Sequence, residues 1–332
     1  MGTRPSLLRL DAPVRPYDWG SASAIPDLLG TPATGEPQAE MWFGAHPGAP
    51  ALVGDARVPL DTELRAHPEL LGERGAALDE GRFPFLMKLL AAGAPLSLQV
   101  HPTRDQARAG HAREDALGLS ATDARRSYKD ANHKPEIIVA ITPFRALCGF
   151  RTPDAARSDL VALLGDDVPA GGARLLSALA EPDAGVALAG AVRLILGEPE
   201  AMGAVARRVV DAAASAPLTP TTDTVRRVAQ AYDADPGVLV ALLLNRVDLA
   251  PGEALFLDAG HLHAYLSGLG LEAMASSDNV LRGGLTSKHV DVEGLLEIVR
   301  FEPVRPAVTE PTVTAADGVR VAAYRPRLQL HP

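Results

Sequence analysis

The sequence predicts a mainly β protein interrupted by a helical insert, and three features of its 332 residues indicate this fold class. Short apolar runs between Gly and Pro residues fill positions 1–150, and runs of about four to eight such residues favour strands. From Pro153 to Asp235 the chain becomes rich in Ala and Leu with helical spacing. Strand-like runs resume at Leu249. This order predicts one β domain whose two halves are separated by helices.

Three runs supply the first predicted strands, from Phe83 to Leu90, from Leu96 to His101 and from Glu136 to Ile141. Their length, their branched side chains and the turn residues around them favour strands, although the first run could also form a helix. The polar, Ala- and Arg-rich stretch from Thr103 to Lys129 predicts a helix and a loop.

The middle region has the apolar spacing of packed helices. Ala156, Leu160, Leu163 and Leu164 are spaced to form one helix face. Pro and Gly residues divide the region into four or five helices. Because few candidate site residues occur here, we expect this insert to shape or cover a site at most.

A turn, a strand and two histidines follow the insert. Pro251 and Gly252 precede an apolar run that ends at Leu257, and the chain then reaches His261 and His263. A Pro-Gly turn and an apolar strand leading to a histidine are how a cupin-type (jelly-roll) β-barrel presents a metal ligand. The sequence therefore predicts a barrel of this type.

These changes of pattern set the expected domain boundaries. Residues 1–150 and 237–303 are expected to form the catalytic cupin barrel, with residues 151–236 as the helical insert. Residues 304–332 contain strand-like pieces and then stop. We expect them to be the start of a C-terminal β region that is incomplete.

Composition and charge argue against several classes of protein. The 47% hydrophobic and 22% charged residues are ordinary for a globular protein. No apolar run approaches the roughly 18 residues of a transmembrane helix, and the first residues lack a signal-peptide core. A net charge of −9 argues against nucleic-acid binding, and the single Cys148 fits a reducing compartment. We expect a cytoplasmic monomer without membrane or nucleic-acid partners.

Lysine is rare in this chain, and its positions are informative. Only Lys88, Lys129, Lys134 and Lys288 occur among the 32 cationic residues. An anionic substrate would need such a local basic cluster to oppose the net negative charge. GC-rich coding bias could have removed other lysines at random, but random survival would not favour the motif segments. We therefore interpret the four lysines as functional.

Four polar side chains predict a metal site. Gln99 and His101 are two residues apart, so they face the same side of one strand. Glu136 begins a later strand, and His263 follows the insert, with His261 on the same predicted strand face as an alternative ligand. Two imidazoles, a carboxylate and an amide oxygen suit one divalent ion such as Zn²⁺, with room for water or substrate.

The segment from Ala259 to Asp291 concentrates ionisable groups beside apolar residues. Buried charges of this kind are costly unless they are paired or bind something. A Gln-x-His pair or a Lys-Pro-Glu turn is uninformative in isolation. Their joint occurrence with this segment is what indicates a functional site.

The chain resembles the type I mannose-6-phosphate isomerase family of zinc-dependent cupins. The similarity extends over about residues 10–300 and keeps the family's motif order. The motifs that carry it are YDWGS at 17–21, AEMWFGAHP at 39–47, LSLQVHP at 96–102, NHKPEI at 132–137, HAYLSG at 263–268 and SDNVLRGGLTSKHVD at 277–291.

The resemblance implies a cupin barrel, an inserted helical domain and a second barrel, with one zinc ion per chain and a phosphosugar substrate. The sequence differs from the family pattern at His261-Leu262, where many relatives carry Pro before the ligand histidine. The implied zinc ligands are Gln99, His101, Glu136 and His263. The implied sugar-phosphate pocket consists of Lys88, Ser97, His133, Lys134, Tyr265, Glu272, Asp278, Arg282 and Lys288.

The implied reaction interconverts mannose 6-phosphate and fructose 6-phosphate through an enediol or enediolate. Such a reaction needs charge stabilisation, a base and a phosphate anchor. We expect zinc and Arg282 to stabilise the transition state. Candidates for the base are Lys134, Glu272 and His133, and candidates for phosphate positioning are Ser97, Lys88 and Lys288.

Three other functions are compatible with parts of this pattern. An iron oxygenase would share the barrel but would not need the cluster of lysine and arginine. A non-catalytic sugar-phosphate-binding cupin would be expected to have lost a ligand or the arginine. An isomerase of a related phosphosugar would use the same residues, and the sequence does not separate it from the leading hypothesis.

Overall fold

The computed structural model describes residues 7–72, 75, 83–316 and 318–325. The outer ends of the expected barrel and of the expected C-terminal region, residues 1–6 and 326–332, lie outside the described residues. None of the helices in the described part of the chain is long and apolar enough to cross a membrane.

Most of the described strands belong to one antiparallel sheet of eleven strands. The strands are Leu10–Asp11 (β1), Val14–Arg15 (β2), Glu40–Phe43 (β3), Leu52–Val53 (β4), Val58–Pro59 (β5), Phe85–Ala92 (β6), Gln99–Val100 (β7), Glu136–Ala140 (β8), Phe144–Phe150 (β9), Leu244–Leu249 (β10), Ala254–Leu257 (β11), His263–Ala275 (β12), Leu281–Arg282 (β13), Val308–Thr309 (β14), Thr312–Ala316 (β15) and Val319–Ala323 (β16).

Strand β12 organises this sheet. Its first half pairs with β7 and β9, and its second half pairs with β6 and β8. The register shifts between Tyr265 and Ser267, just before Gly268, whose φ is 122°. A Cβ at Gly268 would lie 2.7 Å from the carbonyl oxygen of Pro143, so only glycine fits where the strand changes partners. One strand thus carries His263 at one end of the site and Glu272 at the other.

The helices lie mainly between β9 and β10. They are Ala24–Leu29 (α1), Leu60–Ala66 (α2), Arg104–Ala116 (α3), Pro153–Leu164 (α4), Ala170–Ala178 (α5), Ala184–Gly197 (α6), Pro199–Ser215 (α7), Pro220–Tyr232 (α8), Gly237–Leu242 (α9) and Val292–Ile298 (α10), with a 3-10 turn at Pro68–Leu71.

Helices α4 to α9 pack through a shared apolar core. Ala156, Leu160, Leu163 and Leu164 are buried on one face of α4, as their spacing predicted. Thr152 caps that helix by accepting a hydrogen bond from the N–H of Ala155. Pro153 occupies the first helical position, where the N–H that proline lacks would have no partner within the helix. The division into barrel and insert stays a prediction.

The strand predicted from Leu96 to His101 is shorter than expected, since only Gln99 and Val100 pair in a ladder. Around them the main chain changes partners, with the N–H of Leu96 donating to the carbonyl of Tyr265 and that of Leu98 to Gly284. Pro102 then lacks an N–H and cannot continue the ladder. The motif is therefore held between β12 and residues 281–284, and this fixes the position of its side chains.

Residues beyond β14 form a two-stranded hairpin of β15 and β16. The hydroxyl of Tyr324 after this hairpin donates to the carbonyl of Gly252 at 2.7 Å. Strand β14 pairs with β11 at the edge of the main sheet. These contacts connect the described C-terminal residues with the strand that leads to His263.

Candidate metal centre and active site

His101, Glu136 and His263 form a buried cluster at the meeting point of three strands. His101 follows β7, Glu136 begins β8 and His263 begins β12. One ligand atom from each residue lies within 4.8 Å of the others. Nε2 of His101 and Nε2 of His263 lie 3.4 Å and 3.6 Å from the same Glu136 oxygen, Oε2. This geometry brings together three of the four predicted metal ligands.

Main-chain hydrogen bonds fix the tautomers of both histidines. Nδ1–H of His101 donates to the carbonyl of Asn279 at 2.8 Å, and Nδ1–H of His263 donates to the carbonyl of His261 at 2.9 Å. In the neutral form, each ring therefore turns its Nε2 lone pair toward Glu136. Nε2 of His101 is buried and has no hydrogen-bond partner among the described residues. An orphaned imidazole nitrogen beside a buried carboxylate fits a divalent metal ion.

His261 and His263 do not share a strand face, so that part of the sequence interpretation is wrong. Strand β12 begins at His263, and the preceding chain turns through Gly260, whose φ is 82°. This turn directs the carbonyl of His261, rather than its ring, toward His263. His261 is outside the cluster of possible ligands. Its main chain orients the ring of His263.

Gln99 lies beside this cluster by strand pairing. It is directly opposite His263 on β12 and directly opposite Arg282 on β13. Residues opposite each other in adjacent strands place their side chains on the same face. The Gln99 amide nitrogen donates to Oγ of Ser97 at 3.4 Å. The role of Gln99 as a fourth ligand through its amide oxygen stays a prediction.

The electrostatics of the cluster favour the protonation states that bind metal. Burial, assisted by the charge of Lys134, lowers the pKa of His101 to about 4. Burial alone would raise the pKa of Glu136, but the charge of Lys134 and the interactions with His101 outweigh it and hold that pKa well below its usual range. Nζ of Lys134 lies 3.0 Å from Oε1 of Glu136. A neutral imidazole and an ionised carboxylate are the forms that ligate metal.

The lowered pKa of His101 predicts an acid-dependent loss of stability in the metal-free protein. Between pH 6.5 and about 4 the unfolded chain holds a proton on this histidine that the folded state does not, so stability falls as pH falls through this window. We expect a loss of about 2 kcal/mol between pH 7 and pH 5. Urea unfolding at both pH values measures it. The variant His101→Gln serves as control, and an equal pH dependence in both proteins would refute the assignment.

A second buried cluster lies along β3, β6 and β12. Lys88 is 8% exposed and lies opposite Glu272 of β12, with Nζ 3.3 Å from its Oε2. Nζ also lies 3.7 Å from Oε1 of Glu40. The other oxygen of Glu272 accepts a hydrogen bond from the hydroxyl of Tyr265 at 2.8 Å. Lys88 is thus engaged by two carboxylates.

Burial and the charges around Glu272 make it easier to protonate than an exposed carboxyl. Burial and the negative charge of Glu136 raise the pKa of Glu272, while Lys88 and Lys134 oppose this shift. Among the other candidates for the base, Lys134 is ion-paired with Glu136, and Nε2 of His133 accepts a hydrogen bond from Arg104 at 3.1 Å. A carboxyl with a raised pKa accepts a proton more readily than an exposed carboxyl does, and this is a property that the base of such a reaction needs.

Arg282 and Lys288 supply positive charge on the other side of Gln99. Neither side chain has a carboxylate partner within ion-pair distance in the part of the chain that is described. Burial lowers the pKa of Arg282, and burial together with the charge of Arg282 lowers the pKa of Lys288. Two neighbouring cations without a protein counter-ion are suited to an anionic ligand.

Asp278 lies at the edge of the site and contacts His46, the histidine of the AEMWFGAHP motif. Its Oδ2 accepts a hydrogen bond from Nε2–H of His46 at 3.0 Å. Nδ1 of the same ring accepts from the N–H of Gly48, which fixes this tautomer. The hydrogen bond from His46 keeps the pKa of Asp278 below its usual range. The histidine in AEMWFGAHP was the available signal, but nothing in the sequence indicated its partner.

Asp130 and Asn279 join two loops behind the metal cluster and were also missed. Asp130 accepts hydrogen bonds from the hydroxyl of Ser277 and the N–H of Asp278. The side-chain amide of Asn279 donates to the main-chain carbonyls of Asp130 and Asn132. Asn279 is fully buried, and its own carbonyl holds His101. These bonds connect the loop before Glu136 to a metal ligand.

Comparison with known proteins agrees with this geometry. A model of the type I phosphomannose isomerase catalytic domain matches residues 7–153. Mannose-6-phosphate isomerase of Escherichia coli strain K12 is 39% identical over 315 residues, which cover 92% of this chain and 78% of that protein. The chain belongs to the type I phosphomannose isomerase family. The Salmonella typhimurium protein is 40% identical over 316 residues, with the same shares of both chains.

A solved phosphomannose isomerase has the same fold. The structure of mannose 6-phosphate isomerase from Salmonella typhimurium bound to its substrate fructose 6-phosphate and zinc superposes with a TM-score of 0.82 at 37% identity, covering 93% of this chain and 78% of that one. The predicted family and the mainly β, cupin-type fold are therefore confirmed.

Proposed function

We propose that this phosphomannose isomerase family member is a zinc-dependent aldose–ketose isomerase that interconverts mannose 6-phosphate and fructose 6-phosphate. The observation that carries the proposal is the buried His101, Glu136 and His263 cluster with unprotonated Nε2 atoms facing a shared carboxylate oxygen. Its relatives are named mannose-6-phosphate isomerases, and one was solved with fructose 6-phosphate and zinc. A cytoplasmic monomer is part of the same proposal.

One zinc ion per chain would be held by His101, Glu136 and His263, with the amide oxygen of Gln99 as a fourth ligand. When bound, zinc supplies a Lewis acid that offsets negative charge on the sugar oxygens. The main-chain carbonyls of Asn279 and His261 keep the two imidazole rings in ligating orientation.

Proton transfer between C2 and C1 needs a group that both accepts and donates near neutral pH. We assign this role to Glu272, because its pKa is raised and its two oxygens are held by Tyr265 and Lys88. In the direction from aldose to ketose its carboxylate removes the C2 proton of the open-chain sugar, and the resulting carboxylic acid returns a proton to C1. The hydroxyl proton of O2 passes to O1 in the same conversion, so that the carbonyl moves from C1 to C2. Lys134 and His133 are the alternatives, and both have other partners.

Arg282 and Lys288 are assigned different tasks from their positions. Arg282 is paired in register with Gln99, so we place it beside the sugar oxygens where enediolate charge develops. Lys288 is more exposed and lies farther along the same loop, where we place the phosphate with Ser97. Lys88 is enclosed by Glu40 and Glu272, which makes it a poorer candidate for the phosphate than Lys288. Tyr265 and Asp278 complete the pocket.

Replacement of Lys288 by alanine is expected to raise the KM for mannose 6-phosphate about tenfold and to change kcat by less than about threefold. The reason is that an exposed charge on the remote phosphate contributes similar binding energy to ground state and transition state. Steady-state kinetics at two salt concentrations measures both constants. Arg193→Ala, which removes an exposed cation paired with Glu293 at 2.6 Å, is the control. A fall in kcat with unchanged KM would contradict this assignment.

The function itself is tested by incubating the zinc-loaded protein with mannose 6-phosphate, unphosphorylated mannose and other aldose phosphates, and measuring the ketose formed. We expect mannose 6-phosphate to have the highest kcat/KM. A preference for another aldose phosphate would identify an isomerase of a related phosphosugar. Binding of mannose 6-phosphate without any ketose would instead indicate a non-catalytic sugar-phosphate-binding cupin.

A further inference from the structure

Glu40 and Trp42 of β3 form a buried wall behind Lys88. Glu40 is 5% exposed, and its Oε2 accepts a hydrogen bond from Nε1–H of Trp42 at 2.7 Å. Its other oxygen, Oε1, faces Nζ of Lys88 at 3.7 Å. The ammonium also lies 5.0 Å from the centre of the Trp42 ring. The indole therefore fixes one oxygen of Glu40 and leaves the other for the lysine.

Strand register places these groups in one row. Trp42 is directly opposite Lys88 across β3 and β6, and Lys88 is directly opposite Glu272 across β6 and β12. Glu40 is two residues from Trp42 and so shares its face of the sheet. Because β6 lies between the other two strands, the ammonium is enclosed by a carboxylate from each neighbour.

The row of Glu40, Lys88 and Glu272 contains one more carboxylate than ammonium groups. A single ammonium would need only one carboxylate, and burying a second one is costly unless it has a task. Arg15 lies directly opposite Glu40 in strand register, but its guanidinium lies over the Trp42 ring at 4.6 Å and is not within ion-pair distance of Glu40. Lys88 is therefore the cation that pairs with Glu40 among the described residues, and Glu40 also accepts the Trp42 indole hydrogen bond. A residue that only filled space at this position would not need a carboxylate, so the buried charge of Glu40 indicates a role beyond packing.

We propose that Glu40 is a positioning residue that acts through Lys88, holding the ammonium in place against Glu272. The inference rests on the proposed isomerase function, in which Glu272 exchanges the substrate proton. Glu40 does not touch the substrate in this account. Trp42 keeps the Glu40 carboxylate directed at Lys88 and covers the ammonium from the third side.

A double-mutant cycle on kcat tests this inference with the zinc-loaded full chain. The four proteins are the wild type, Glu40→Gln, Lys88→Met and the double variant. Glu40→Gln is expected to lower kcat about tenfold or more while KM changes by less than about threefold. In the Lys88→Met background the same substitution is expected to have no further effect on kcat, since its only route of action has been removed.

Equal effects of Glu40→Gln in both backgrounds would overturn the inference. A wild type that forms no ketose would overturn the proposed function and this inference together, whereas an active wild type with an additive cycle would overturn the inference alone. Zinc content and Tm are measured for every variant. If Glu40→Gln does not fold, Trp42→Phe, which removes the Nε1–H donor and keeps an aromatic ring, replaces it in the same cycle with the same criteria.

Glu114 offers a matched control. It is a buried glutamate at 6% exposure that pairs with Arg126 at 3.7 Å and accepts the N–H groups of Ser127 and Tyr128. Glu114→Gln is expected to lower Tm with kcat within about threefold of the wild type. A loss of kcat in Glu114→Gln equal to that in Glu40→Gln would show that removing any buried carboxylate suffices, which would contradict a specific role for Glu40.

Discussion

Replacing His263 with alanine is expected to lower zinc affinity by at least about a hundredfold and to remove isomerase activity at limiting zinc. Even the loss of a residue that only orients a metal ligand typically costs about 10- to 100-fold in metal affinity. His263 contributes more than orientation, because its Nε2 faces the carboxylate oxygen that it shares with His101. Zinc titration against a competing chelator measures the affinity, and the coupled isomerase assay measures the activity.

His261 provides the control for this prediction. Its contribution to the site is its main-chain carbonyl, which alanine retains, so His261→Ala should bind zinc within about threefold of the wild type. Nε2 of the His261 ring has no hydrogen-bond partner among the described residues, and burial lowers the pKa of this ring. Because alanine at this position therefore breaks no hydrogen bond of Nε2, we do not expect His261→Ala to unfold the protein. Zinc loss in His261→Ala rather than in His263→Ala would reverse the assignment of the two histidines.

Replacing Arg282 with alanine is expected to lower kcat about 100- to 1000-fold with a smaller change in KM. This range is typical of removing one donor that stabilises developing negative charge in an enzyme site. Two structural features support the assignment. Arg282 lies opposite Gln99 in strand register, and no carboxylate of the described chain neutralises its guanidinium. Steady-state kinetics with mannose 6-phosphate, together with zinc content, separates loss of catalysis from loss of metal.

Two further variants sharpen the Arg282 prediction. Arg282→Lys keeps the charge but loses the planar pair of donors, so it should recover only part of kcat. Arg300→Ala removes an arginine that is paired with Asp258 at 3.3 Å and should leave kcat within about threefold. A large rise in KM at constant kcat in Arg282→Ala would instead place this residue on the phosphate.

The metal cluster could be predicted only in part from local sequence. Short spacing placed Gln99 and His101 on one strand face, whereas the resemblance to the family implied that Glu136 and His263 join them. The choice between His261 and His263 could not be made in the same way. It depends on where β12 begins and on a main-chain carbonyl that the Gly260 turn directs inward.

The residues around Lys88 could not be assigned from sequence for a different reason. Their contacts depend on the exact register of β3, β6 and β12, which joins residues far apart in the chain. The hydrogen bond between His46 and Asp278 spans 232 positions. The sequence could therefore not show that two carboxylates enclose Lys88.

The central claim is tested most directly by a coupled assay of mannose 6-phosphate conversion to fructose 6-phosphate before chelation, after chelation and after zinc is restored. The account predicts that activity disappears on chelation and returns with zinc. In His263→Ala, zinc at the concentration that restores the wild type should not restore activity. Absence of turnover by the folded, zinc-loaded wild type, or full activity without metal, would contradict the account.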